Sequence, residues 1–371
     1  MRMSFWLIVP VALALLVGFI ALRHRTRPRD PVAADSTTQV AALRALPEPV
    51  VADAAAADAA PVVAAPAEAL SVRAETLRAL HEVAFGITLP PAAAQVLPDD
   101  GISAEIGGAL GAIVDKPNYA PRRPMQLPKL MRAINDETAS RGELSQIIAG
   151  DPALAGNLLR LANSPFYRHS SEPIESLDRA VAMLGIEGLR SMIAAALLQP
   201  VFRISGSFAQ FGEVTWEHSL YAAAAAEGDA ALVENADPFA AQLLSLIMGL
   251  ATIVVFSVAQ DAFLARQRAP EAATIASLID AHAVSVARQI AASWELSERI
   301  DTALAEQLAT PLAPASALGR CLQFGGFIGA LAVLRSRGVI DDQTAHAVLQ
   351  SAETATGANE RIWTRLRLTA R

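Results

Sequence analysis

Histidine, cysteine and carboxylate side chains are the groups through which this chain could bind a metal ion or act in catalysis. Six histidines and one cysteine occur in 371 residues. No two histidines have the HxxxH spacing that places two ligands on one helix face. No GxSxG, Walker or GxGxxG sequence is present. Cys321 lies beside Leu322 and Phe324, so we expect a small core residue rather than a nucleophile.

The elements that would position these side chains are predicted to be helices. Hydrophobic residues make up 53% of the chain and aromatic residues only 5%, which suits packed helices better than sheets. Apolar residues recur with helical spacing from Arg122 onward, and no strand-like alternation of any length occurs. A final pair of helices is predicted over Ala315–Arg337 and Asp341–Arg367. The expected fold class is therefore an all-α helical bundle.

Two shorter helices are predicted ahead of this region. The first runs from about Ala69 to Val83, and the second from about Ile102 to Val114. In the first helix, three leucines are expected on one face: Leu70, Leu77 and Leu80. The sequence leaves open whether these helices form an accessory element or pack on the main domain.

Two segments of the main helical region are specific enough to compare with a known family. They read GELSQIIAGDPALAGNLLRLANSPFY (Gly142 to Tyr167) and IESLDRAVAMLGIEGLR (Ile174 to Arg190). With Leu127-Pro128 ahead of them, these segments resemble the HDOD family. Weaker agreement continues as far as Leu308 and includes Trp216, His218, His282 and Trp294.

The resemblance implies a helical fold related to the HD phosphohydrolases, which bind a divalent metal. Those enzymes use a His, an adjacent His-Asp pair and a distal Asp to hold the ion. His218 matches the first His, whereas Met248-Gly249 stand where the pair is expected. No carboxylate or histidine occurs between Phe239 and Gln260. The resemblance therefore implies a non-catalytic domain without metal or cofactor, in which His218 and His282 are relic candidates.

The family resemblance also singles out residues that could contact a partner. Three polar residues near helix ends have capping and loop anchoring as the alternative role. The two arginines could instead pair with acids or form a phosphate-binding surface. The two aromatic residues follow Pro165 and could form a partner-facing patch. The seven candidates are Asp151, Arg160, Asn163, Ser164, Phe166, Tyr167 and Arg190.

The N-terminus is predicted to be a membrane anchor. Phe5 to Leu22 reads FWLIVPVALALLVGFIAL, eighteen residues without a charge. Arg2 precedes it, and four arginines follow it between Arg23 and Arg29, which places the C-terminal bulk in the cytoplasm. A cleaved signal peptide is the alternative, but its charge normally precedes the apolar run. We expect a single-pass protein of the bacterial inner membrane.

A second apolar run, Phe239 to Ala259, is also long enough to resemble a membrane span. Four polar residues interrupt it, and neither flank is strongly basic. We therefore interpret it as a buried central helix of the bundle. The interrupting residues are Gln242, Ser245, Thr252 and Ser257.

The predicted organisation has five parts. Residues 1–27 are the anchor with its basic cluster, and residues 28–69 are an Ala/Pro-rich disordered linker. Residues 70–121 are a short helical accessory segment, residues 122–310 the HDOD-like domain, and residues 311–371 a C-terminal helical extension. The net charge of −7 argues against a nucleic-acid partner.

Three functions are compatible with this organisation. The first is a membrane-tethered signalling protein that binds a protein partner or an unidentified small ligand without catalysis. The second is a divalent-metal phosphohydrolase or phosphodiesterase, and the third is a passive membrane scaffold. Bound metal with chelator-sensitive turnover would distinguish the second, and a specific crosslinked partner would exclude the third.

Overall fold

The fold was analysed in a computed structural model of the chain. It describes residues 67–90, 101–116, 118–121, 127, 129, 152–164, 167, 174, 192, 194–196, 198, 207–308, 316–352 and 357–369. The stretch from Ala65 to Arg371 forms one compact unit. The predicted anchor at residues 5–22, its arginine cluster and the linker up to residue 66 lie outside the described residues.

Helices make up the regular secondary structure of the described ranges, in which no strand occurs. The all-α prediction is confirmed. The helices are α1 (Ala67–Phe85), α2 (Ile102–Gly111), α3 (Pro152–Ala162), α4 (Phe211–Asp229), α5 (Pro238–Ala265), α6 (Ala272–Ser293), α7 (Glu298–Ala305), α8 (Ala317–Ser336), α9 (Asp342–Ala352) and α10 (Gly357–Thr369). A 3₁₀ turn, Ile113–Asp115, follows α2, a π-helical turn, Ala230–Glu234, follows α4, and a 3₁₀ turn, Glu306–Leu308, follows α7.

The central element is α5, which packs between α4 and α6. Asp237 caps its start, because its Oδ1 accepts hydrogen bonds from Phe239 N (3.0 Å) and Ala240 N (3.1 Å), and Pro238 occupies the first turn. Both α5 and α8 are long and apolar enough to cross a membrane by length and composition. In the apolar window of α5, 89% of residues are buried inside the bundle, which agrees with a core helix.

Helices α4 and α8 pack at backbone distance because α8 presents glycines to α4. An ideal Cβ on Gly329 would lie 2.6 Å from the Ala222 N, and one on Gly325 would lie 2.6 Å from the Ala222 O. Two ion pairs, Arg320 with Glu234 and Arg337 with Glu217, connect opposite ends of the two helices. The two helices are therefore antiparallel.

The predicted accessory helices pack directly on the bundle. Helix α1 contacts α4, α8 and α9, and α2 contacts α5 and α6. At the end of α1, the Phe85 ring packs on Phe211 with ring centroids 4.9 Å apart, and Gln210 Nε2 donates to the Val83 O (2.7 Å). At the end of α2, Gln289 Nε2 donates to the Leu110 O (2.8 Å). The bundle core therefore includes residues from well before Arg122.

Candidate functional site

His218, the relic candidate that matches the first His of the HD set, lies on the face of α4 that meets α8. Its Nε2 is 2.9 Å from the Gly326 carbonyl oxygen. A carbonyl only accepts, so Nε2 must carry the proton and donate. Burial lowers the pKa of His218 to about 4, the bond to Gly326 acts in the opposite direction, and the nearby charge of His81 lowers it further. His218 is therefore neutral at physiological pH, with Nε2 already committed to the protein.

Gly249, one of the two positions at which the resemblance implies the His-Asp pair, faces Ser219, the residue after His218. An ideal Cβ on Gly249 would overlap Ser219 Oγ and would lie 2.6 Å from Ser219 Cβ. The Ser219 hydroxyl is fixed there, because it donates to the Thr215 O at 2.7 Å. Gly249 is buried and Met248 is half-buried. The contact between α4 and α5 thus leaves no room for any side chain at position 249.

The resemblance to the HD phosphohydrolases implies a divalent metal ion at this place. The residues present here do not fit such an ion. Position 249 has neither a carboxylate nor the space for one, and the His218 Nε2 points its proton at a carbonyl. Among the residues that the structure describes, no three His, Cys, Asp or Glu side chains are grouped so as to hold a metal. A hard divalent ion needs such a group of ligands.

A second histidine, His81 of α1, interacts electrostatically with His218 and with Asp280 of α6. Burial lowers the pKa of His81, and the negative charge of Asp280 opposes that shift. Although Asp280 keeps part of its surface exposed, desolvation raises the pKa of its carboxyl, and His81 opposes that shift. Sequence reasoning missed His81 because it lies outside the segment that resembles the family. An inward-facing His one turn before Phe85 was the available signal.

The other relic candidate, His282, lies against a different element. Its Cε1 and Nε2 are each 3.5 Å from the ideal Cβ position of Gly107 on α2. Burial lowers the pKa of His282. His218 therefore meets α8 and His81, whereas His282 packs beneath α2.

Of the four partner-binding candidates that the structure describes, Asn163 has the most extensive hydrogen bonding. Its Nδ2 donates to the carbonyls of Leu159 (2.9 Å) and Ile174 (2.8 Å), and its Oδ1 accepts from Ile174 N (2.8 Å). Asn163 thus anchors residue 174 to the end of α3. Its contact with a partner stays a prediction.

The remaining described candidates lie on or just after α3. Arg160 is exposed, and its guanidinium donates to the Asn157 side chain. Ser164 has a buried hydroxyl that makes no hydrogen bond in the described part of the chain. Tyr167 is half-buried, and its backbone N donates to the Ser164 O at 3.1 Å. Asp151, Phe166 and Arg190 lie outside the described residues.

Comparison with known families matches the HDOD domain to residues 120–309 of this chain. No curated protein matches the sequence significantly.

Several solved structures are similar over most of their length. An HDOD domain protein with unknown function from Geobacter sulfurreducens is 20% identical, with a TM-score of 0.40, over 79% of this chain and 94% of its own. A protein from Shewanella amazonensis SB2B, provisionally assigned as a metal-dependent phosphohydrolase, is 14% identical, with a TM-score of 0.43, over 72% and 100%. The MmoQ response regulator from Methylococcus capsulatus str. Bath is 19% identical, with a TM-score of 0.35, over 66% and 97%.

Proposed function

Because this chain belongs to the HDOD family, we propose that it is a non-catalytic signalling protein that is tethered to the cytoplasmic membrane and binds a protein partner or a small ligand. The family assignment rests on a match to 120–309, which is just over half of the 371 residues. The site geometry, the N-terminal sequence and the surface near α3 support the three parts of the proposal in turn.

The observation that carries the non-catalytic role is the direct contact of α4 with α5 at Ser219 and Gly249. The HD set needs a His-Asp pair at Met248-Gly249, and a side chain at Gly249 would overlap Ser219. Restoring a ligand there would require the two helices to separate. The fold therefore uses this position for packing, which favours binding over metal-assisted hydrolysis.

The N-terminal sequence supports the tether. Phe5 to Leu22 is long enough to span a bilayer, and the arginines after it favour a cytoplasmic bundle. A tethered domain meets membrane-bound partners at a raised effective concentration, so weak contacts suffice for signalling.

The surface at the end of α3 is the best-supported place for a partner. Arg160 is exposed there, and Asn163 bonds the backbone of Ile174. A backbone position held in this way near an exposed arginine is preorganised, which lowers the entropic cost of binding.

Crosslinking from membranes with the full-length chain tests the binding role. We expect one specific partner, or one specific bound small molecule, and we expect Arg160→Glu to reduce its recovery several-fold. Arg299→Glu on α7 is the matched control, because Arg299 is also exposed but lies on another helix. Recovery of the same background with both variants and the wild type would favour a passive scaffold.

Metal analysis of the same purified chain tests the rival phosphohydrolase. We expect sub-stoichiometric Mn, Fe and Mg, and no chelator-sensitive cleavage of a cyclic dinucleotide or a model phosphodiester. Stoichiometric metal together with cleavage that a chelator abolishes would overturn the non-catalytic proposal.

A further inference from the structure

Four residues other than glycine have a left-handed backbone in the described ranges, with φ between 48° and 62°. Three of them come just after helical segments, where a left-handed residue is common. Asn235 follows the π-helical turn after α4, Gln267 follows α5 and Glu295 follows α6. Phe208, with a φ of 62°, is different, because it lies three residues before the start of α4 and ends no described helix. For a bulky aromatic residue this conformation is strained.

Contacts from two helices hold the strained residue and its neighbours, here called the Phe208 turn (residues 207–210). The Phe208 ring packs edge-on against Phe85, the last residue of α1, with ring centroids 5.0 Å apart. On the other side, Gln260 Nε2 of α5 donates to the Ser207 O at 3.0 Å. Gln260 is buried, so this contact fixes the turn to the bundle core.

The last turn of α1 supplies a second contact. Gln210 Nε2, at the end of the Phe208 turn, donates to the Val83 O of α1 at 2.7 Å. Gly86 allows this approach, because its φ is 71° and an ideal Cβ there would lie only 3.0 Å from Gln210 Nε2. Two of these three contacts therefore come from the last turn of α1, which makes it the main support of the strained conformation.

The start of α4 depends on the Phe208 turn, because no side chain caps it. Asp237 caps α5 and Ser316 caps α8 through hydrogen bonds from backbone N–H groups, whereas α4 has no such bond. Gln210 occupies the N-cap position of α4, but its side chain bonds α1 instead. The first turn of α4 is held through Phe211 N, which donates to the Phe208 O at 2.9 Å. Relaxation of Phe208 would therefore loosen this turn.

We propose that the Phe208 turn is a strained relay between α1 and α4. While the last turn of α1 is docked, Phe208 stays left-handed and α4 is held from its first residue. When that part of α1 moves away, Phe208 relaxes to a negative φ and the start of α4 loosens. Helix α1 is the first described helix after the predicted linker. The inference therefore rests on the proposed tethered signalling role, and it adds the place at which a movement of the tether reaches the bundle.

Hydrogen exchange of the full-length chain in detergent reads out the relay. Phe211 N and Val214 N donate to the Phe208 O and the Gln210 O, both at 2.9 Å, so their exchange reports whether the Phe208 turn holds α4. The start of α8, residues 319–322, has its own cap and serves as an internal reference.

Variants of α1 test whether this helix supports the turn. Phe85→Leu keeps an apolar side chain but removes the ring contact with Phe208, so we expect exchange at residues 211–214 to become about 10-fold faster. Exchange at residues 319–322 should stay unchanged. Leu77→Ala is the matched control on α1, because Leu77 is partly exposed, and it should alter neither region.

Substitutions of Phe208 itself separate strain from loss of the ring. Alanine and glycine both remove the ring, but only glycine adopts a positive φ without steric cost. We expect Phe208→Ala to speed exchange at residues 211–214 about 10-fold, and Phe208→Gly to leave it within about 2-fold of the wild type. Adding Phe85→Leu to Phe208→Gly should have no further effect there, because no strain remains to be released.

Two results would overturn the relay. Equal exchange in Phe208→Ala and Phe208→Gly would mean that the turn is unstrained, and unchanged exchange in Phe85→Leu would mean that α1 does not support it. The crosslinking experiment decides the proposed function separately. A chain that has a specific partner but lacks this exchange pattern overturns the relay alone, whereas a chain with the pattern and no partner overturns the signalling role alone.

Discussion

At the scale of single residues, Gly249 is the position at which the fold departs most clearly from an HD metal site. Its backbone approaches Ser219 so closely that even a methyl group would overlap the serine hydroxyl. We expect Gly249→Ala to lower the free energy of unfolding by about 2–3 kcal/mol, the cost of overpacking a core. Urea unfolding of the full chain in detergent would measure this.

A second variant separates steric overlap from other effects at position 249. Ser219→Gly removes both clashing atoms. The double variant, Gly249→Ala with Ser219→Gly, should therefore have a free energy of unfolding more than about 1 kcal/mol above the value expected from the sum of the two single changes. Strict additivity of the two single changes would contradict the contact between Ser219 and Gly249.

His218 should make stability depend on pH. Its pKa is about 4 in the folded chain against 6.5 for a free histidine, so the unfolded state binds more protons between those values. The contribution of His218 to the free energy of unfolding is therefore fully present above pH 6.5. It is lost as the pH drops toward 4, by up to about 3 kcal/mol. His81, whose pKa is also lowered, acts in the same direction.

The substitution His218→Gln tests this assignment. Glutamine can still donate to the Gly326 carbonyl but does not titrate, so stability near pH 7.5 should be similar to that of the wild type. The loss of stability between pH 6.5 and pH 4.5 should be smaller, as measured by urea unfolding at each pH. An unchanged pH dependence would show that another group is responsible.

The residues of the site were predictable only in part. Met248-Gly249 and His218 could be placed from the family resemblance, because they lie in one ordered series of motifs. His81 could not, since its approach to His218 depends on how α1 packs. Nothing in the sequence ahead of the resemblance fixes that packing.

At the scale of helices, the close approach of α8 to α4 depends on two glycines of α8, Gly325 and Gly329. An ideal Cβ on Gly329 would lie 2.6 Å from the Ala222 N, whereas one on Gly326 would meet nothing within 4 Å. We therefore expect Gly329→Ala to cost about 2–3 kcal/mol through overpacking. Thermal unfolding in detergent would measure the loss.

Gly326→Ala is the matched control on the same helix. It should stabilise the chain by about 0.5–1 kcal/mol, because alanine favours the helix and has open space at this position. Equal effects of the two substitutions would contradict the close packing of α8 on α4.

The two ends of the sequence show where helix prediction failed. The single helix expected over Asp341–Arg367 is two helices, α9 and α10. Thr354 and Thr356, between them in the sequence, and Gly357, the first residue of α10, have low helix propensity. The leucine face expected in α1 is also wrong in part. Leu77 is 38% exposed, because α1 turns its smaller residues Ala79 and Ala84 toward the bundle. Leucine spacing alone could not reveal that these small side chains are buried.

At the scale of the whole molecule, the compact unit extends beyond the family match. Helix α1 ends more than thirty residues before residue 120, yet Phe85 packs against three other phenylalanines. Its ring centroid lies 5.0 Å from that of Phe208, 4.9 Å from that of Phe211 and 6.2 Å from that of Phe256. The Phe211 and Phe256 rings are themselves stacked at 4.0 Å. Phe85 thus joins α1 to both α4 and α5.

This cluster makes a prediction about unfolding of the entire bundle. Phe85 is only 3% exposed, so Phe85→Ala should cost about 3–5 kcal/mol by leaving a cavity among the aromatic rings. Leu77→Ala on the same helix is the control and should cost well under 1 kcal/mol, because Leu77 is partly exposed.

Tryptophan fluorescence distinguishes a global effect from a local one. Trp216, Trp294 and Trp363 are buried in helices or turns outside α1, so their emission reports on the bundle that α1 covers. If α1 belongs to the cooperative core, Phe85→Ala should shift the fluorescence and circular dichroism transitions in urea to the same lower midpoint. The contrary result is a fluorescence transition that stays at the wild-type midpoint while helicity is lost at lower urea. That result would mean that α1 unfolds separately and that the unit that must fold together begins after this helix.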